Sequence, residues 1–186
     1  MVSGTFDISD YSLASGRVGG RRNSARASEC LRYRLDVFAA STVDVVQSAG
    51  GWLYDRAMAG WEVAVLLPPG CDGRPLRILG VRVADRDPGF ETGFLEGAPP
   101  QSLAVSADAF AGDPDLREEV RKALDDRLTE VALWGDGWPL DVNRAMTRAH
   151  HTLSAAARAY KGHALAAAGI RCDSIDSVET LLAREP

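Results

Sequence analysis

Residues 31–67 constrain the fold more than any other part of the chain. Leu31, Tyr33, Leu35 and Val37 alternate with Arg32, Arg34, Asp36 and Phe38, the period of two expected of a half-buried strand. Ser41 or Thr42 follows as a helix N-cap. Over 43–58, Val43, Val46, Gly50, Leu53, Tyr54 and Ala57 recur at steps of three and four and form one apolar stripe. Val45 and Trp52 fall nearly opposite that stripe, so the helix is expected to touch neighbours on two sides. Gly60 stops it, and "WEVAVLL" reads as a buried strand. Strand, helix and strand in this order make a right-handed parallel βαβ unit.

The rest of the chain extends that unit. "PPGCDGRP" is a turn by composition, and "LRILGVRVA" at 76–84 reads as a strand. The turn is too short for a crossover helix, so these two strands are expected to pair as an antiparallel hairpin. Residues 85–101 form a Gly-, Pro- and acid-rich loop, and "SLAVSA" at 102–107 reads as a fourth strand. Asp113-Pro114 supplies an N-cap and a Pro at the first helical position, opening a helix expected to reach about Trp134. A second long helix is expected from about Asp141 to Ala168, ending at Gly169, and a short one at "SVETLLA". The fold class is therefore α/β: a mixed β-sheet containing one βαβ unit and a hairpin, with a helical C-terminal half. No internal repeat is found.

Residues 12–28 are rich in Gly, Ser, Ala and Arg without apolar period. Such a segment buries too little surface to offset its ordering entropy. The expected organisation is a flexible arm over 1–28 and a single α/β domain over 29–186. The arm and its continuation to residue 34 carry six Arg against Asp7, Asp10 and Glu29, whereas the whole chain has a net charge of −5. That balance argues against a body that binds nucleic acid. It leaves nucleic-acid association through Arg17, Arg21, Arg22 and Arg26 as one reading of the arm.

Cys30, Cys71 and Cys172 are far apart and lack CxxC spacing, which points to reduced thiols. No signal-peptide pattern or membrane-length apolar run is present, so a cytoplasmic protein without membrane contact is expected. Arg outnumbers Lys, and Ala is abundant, as in GC-rich bacterial genes.

Candidate sites fall into three groups. Ser41 and Thr42 stand at the crevice of the βαβ unit, where helix N-termini offer N–H groups to phosphate. No GxGxxG or GxxxxGK[ST] accompanies them, and Gly50-Gly51 lies inside the helix, where it suits close packing. His150, His151 and His163 are expected on one helix, and adjacent histidines there point about 100° apart, unlike the i, i+4 pair of HExxH. No metal, cofactor or catalytic constellation is implied. Trp52, Trp134 and Trp138 sit where a core does not require them, and Trp is favoured at interfaces.

The expectation from sequence is thus a non-catalytic binding or regulatory protein acting through protein contacts or self-association at those tryptophans. The alternative is an enzyme or sensor that binds a small phosphorylated or nucleotide-like ligand at Ser41 and Thr42. Nucleic-acid association through the arm is the second alternative.

Overall fold

The computed structural model describes residues 33–85 and 102–184. In chain order the elements are β1 (Arg34–Phe38), α1 (Thr42–Met58), β2 (Glu62–Leu67), α2 (Arg74–Ile78), β3 (Arg82–Asp85), β4 (Ser102–Ser106) and α3 (Ala107–Gly112). They continue as α4 (Pro114–Asp125), β5 (Glu130–Trp134), α5 (Leu140–Arg144), β6 (Thr147–Thr152), α6 (Ala155–Ala167) and β7 (Val178–Ala183). The strands form one seven-stranded sheet in the order β3-β2-β1-β4-β5-β7-β6. The first five are mutually parallel, and β7 runs antiparallel to both β5 and β6.

Alternation along the strands splits the core in two. Leu35, Val37, Val63, Val65, Leu67, Ala104, Ala132 and Trp134 pack with residues of α1, α2 and α6. Phe38, Leu66, Leu103, Val105, Val131 and Leu133 pack with Phe110 of α3, Leu116 and Val120 of α4, and Val142 of α5. The sheet therefore lies between two helical layers, which is why its central strands read as nearly continuous apolar runs.

The α/β class, the mixed sheet and the parallel βαβ unit of β1, α1 and β2 agree with the sequence. Ser41 caps α1 from an extended backbone, its Oγ accepting the Asp44 N–H at 3.2 Å. Asp113 Oδ1 caps α4 through the N–H groups of Asp115 and Leu116, with Pro114 in the first turn. The mid-section of α1 is buried without a break from Ala49 to Tyr54, so the helix does meet neighbours on more than one side.

Three local expectations are corrected. The hairpin is absent: β3 is parallel to β2, because the strand begins at Arg82 and leaves 68–81 free to hold the crossover helix α2. The helix expected to reach Trp134 stops at Asp125, and "EVALW" forms β5. A five-residue apolar run satisfies a helical stripe and a buried strand equally well. The helix expected over 141–168 is divided into α5, strand β6 and α6, and "VETLLA" is strand β7 rather than a helix. The proposed arm at 1–28 lies outside the described residues. No helix among the described residues is long and apolar enough to cross a membrane.

Candidate functional site

In this strand order the chain builds outward from β1 through β2 and β3, then returns to place β4 and β5 on the other side. That reversal opens a crevice beyond the carboxyl ends of β1 and β4, the position where open α/β sheets take ligands. The structure brings α1's N-terminus there, but the two hydroxyls expected to serve a ligand have other partners. Ser41 Oγ holds the cap, and buried Thr42 donates its hydroxyl to the Asp72 carbonyl at 2.8 Å. Asp44, in the first turn, accepts the indole N–H of Trp134 at 3.0 Å and so ties the helix to the end of β5.

A concavity lies further along the same edge. A cavity of about 330 Å³ opens at the carboxyl end of β5 and is walled by α5, β6 and β7. It is lined by the "WGDGW" segment 134–138, with Asn143, Arg148 and Thr180 supplying further polar groups. Gly135 and Gly137 both hold positive φ, at 88° and 89°, so the turn between them depends on residues without a Cβ. A Cβ on Gly135 would lie 2.9 Å from that of Ala107, so β5 and α3 approach too closely there for any side chain.

Four polar side chains of this lining have no polar partner among the described residues. The Trp138 indole N–H is buried without a hydrogen-bond acceptor, in a residue only 8% exposed. A buried donor in that condition costs roughly 1–3 kcal/mol. Asp136, Asn143 and Arg148, all exposed, make no ion pair or side-chain hydrogen bond among the described residues. The sequence signal for this site was "GDGW" immediately after an apolar run. Once 130–134 is a strand, that turn necessarily stands at the ligand-binding edge.

The histidines stand on β6 rather than on a helix. His150 Nδ1 meets Thr180 Oγ1 at 3.0 Å, and His151 Nε2 meets Asp55 Oδ2 at 2.9 Å. Burial pushes the Asp55 carboxyl upward, but hydrogen bonds from Ser154 and His151 outweigh it and leave its pKa lowered. His163 lies on α6 with its ring edge-on to Tyr160. No group of three His, Cys, Asp or Glu side chains is placed to hold a metal among the described residues.

A buried ion pair lies against the middle of α1. Lys161 Nζ lies 2.6 Å from Glu179 Oε1, with both side chains almost fully enclosed. The same carboxylate accepts the N–H groups of Gly51 and Trp52 at 2.9 and 2.7 Å. Lys161 also donates to the Gln47 carbonyl, the group four residues before Gly51. The pair therefore bridges two backbone groups that a regular helix would join directly. Gly51 is glycine because a Cβ there would come within 2.5 Å of Leu153 Cδ2. Close packing was the expected use of Gly50-Gly51.

The tryptophans are not surface anchors. Trp52, Trp134 and Trp138 are 4%, 2% and 8% exposed. Arg17, Arg21, Arg22 and Arg26 lie outside the described residues.

No protein-family model matches the chain, and no curated protein matches it. Solved structures do share its fold. The A40926 pseudoaglycone deacetylase Dbv21 superposes with a TM-score of 0.54 at 14% identity, over 81% of this chain and 96% of that one. A deacetylase solved in complex with teicoplanin superposes with a TM-score of 0.51 at 16% identity, over 82% and 98%. A triple mutant of a deacetylase from the teicoplanin pathway gives 0.51 at 16% identity, over 72% and 80%. At such identities the likeness is one of fold.

These findings overturn the expectation of a non-catalytic protein acting through tryptophan-centred protein contacts or self-association. Its anchors are inside the core, and the solved structures that share the fold are deacetylases.

Proposed function

We propose that this protein is an enzyme or sensor that holds a small phosphorylated or nucleotide-like molecule at the carboxyl edge of its sheet. The binding position is the cavity beside Trp138 rather than the hydroxyls of Ser41 and Thr42, which are occupied by capping and tethering. One observation carries the reading: the guanidinium of Arg148, without an ion pair among the described residues, lines this concave space. It is a forked donor that a ligand anion would satisfy. Asn143 adds an amide to the lining. A volume near 330 Å³ sits at the small end of the range for ligand sites, in keeping with a compact molecule. The solved structures that share the fold are deacetylases, one of them in complex with teicoplanin, which supports an enzyme over a non-catalytic protein.

Isothermal titration with AMP and with inorganic phosphate tests this reading. Arg148→Ala is expected to weaken binding of both by at least about tenfold, the equivalent of one lost charge-assisted hydrogen bond. Binding that Arg148→Ala leaves unchanged would place the ligand elsewhere and refute the assignment.

A further inference from the structure

The same cavity carries two opposite charges that do not meet. Asp136 follows β5 and Arg148 lies on β6, with β7 between them. Two strand spacings separate their backbones by about 10 Å, and the two side chains do not pair with each other across the cavity. Arg148 is held in register with Leu182, and through it with Leu133, so its position on the wall is fixed by the ladder. Asp136 is fixed by the two positive-φ glycines that flank it, and its carboxylate is the sole side-chain functional group of that turn. A site meant for a simple anion would be weakened by a carboxylate at its mouth, because like charges repel in a partly desolvated space.

We infer that the ligand is bipolar: a small phosphate ester or carboxylate whose anionic group meets Arg148, and which also carries an amino group for Asp136. This inference rests on the proposed binding site. It adds what a bare anion site lacks, namely a reason for Asp136 to face the cavity. Thr180 and Asn143, between or beside the two charges, suit a polar linker better than an apolar one.

Two probes that differ only by an ammonium group separate the possibilities: ethyl phosphate and 2-aminoethyl phosphate, titrated by NMR chemical shift against the full chain. The unmodified protein is expected to bind the amino compound about tenfold more tightly. Asp136→Asn is expected to abolish that preference and to bind ethyl phosphate more tightly than the unmodified protein does. Because Asp136 has no partner, its melting temperature serves as a folding control and is expected to stay unchanged. Equal affinity for the two probes, or a preference that survives Asp136→Asn, would overturn the bipolar inference and leave the anion site standing. Failure of both probes to bind at tens of millimolar would overturn the anion site itself.

Discussion

Replacing Glu179 with Gln removes the charge while keeping the side chain's length, and the structure gives the cost. Glu179 and Lys161 are 4% and 6% exposed, so neither charge has water to fall back on. Breaking one partner of a buried pair typically costs about 3–5 kcal/mol. The Gln oxygen can still accept one of the Gly51 and Trp52 N–H groups, which favours the lower figure, about 3 kcal/mol. For a chain of this size that lowers the melting temperature by roughly 6–12 °C. Lys161→Met strands the carboxylate instead, but two helix N–H groups remain to hold it, for a cost of about 2–3 kcal/mol. The double variant leaves no buried charge and is expected to cost only about 2 kcal/mol, giving a coupling near 3 kcal/mol. Urea unfolding followed by circular dichroism measures all four proteins. Single variants within about 0.5 kcal/mol of the parent, or a double variant equal to the sum of the singles, would refute the reasoning.

Two further outcomes follow from the packing and the electrostatics. Gly51→Ala is expected to destabilise by about 1–2 kcal/mol in urea unfolding, because displacing buried Leu153 outweighs the roughly 1 kcal/mol gained in helix propensity. Gly50→Ala, whose Cβ would lie 3.3 Å from Leu79 Cδ1 and at ordinary contact distance from Val46 Cγ1 and the Val45 carbonyl, is expected to be near neutral by the same assay. Burial raises the Asp36 pKa above its ordinary 3.8 despite the pair of hydrogen bonds from Arg34. The folded state thus holds that proton more tightly than the unfolded chain, and the associated stability is lost as pH rises through the raised pKa. Asp36→Asn is expected to gain on the parent as pH rises from about 4 toward neutrality, and a pH-independent difference between the two would contradict this.

The sequence was most legible where local chemistry and tertiary context agreed. Ser41 and Asp113 are caps in both, and the strand at 62–67 is buried as its pattern assigns, whereas β1, expected to be half-buried, encloses Asp36 and Phe38 as well. It was least legible where a strand lacked the usual apolar face. β6, "TRAHHT", is an edge strand with little to bury, so its composition resembles a solvated helix. β7 alternates properly, but the inward positions are Glu179 and Leu181, and an acid at a core position hides the period. The cavity stayed hidden for the same reason. Trp138, Asp136 and Arg148 come together only once 130–134, 147–152 and 178–183 are recognised as neighbouring strands, a fact that no spacing along the chain encodes.

The clamp on α1 has a consequence for the order in which the molecule can be completed. Gly51 and Trp52 are bonded to a carboxylate 128 and 127 residues further along the chain. On a ribosome, α1 and the first parallel strands emerge long before β7, yet the centre of α1 keeps a pair of amides waiting for it. Leu153 and Lys161, which close over the same glycine, also come late. The earliest helix is therefore finished by the last strand of the sheet, and the two ends of the fold must mature together. Such long-range closure raises the contact order and slows folding. It also makes the native state a check on synthesis: a nascent chain halted before residue 178 holds an α1 whose middle is still open.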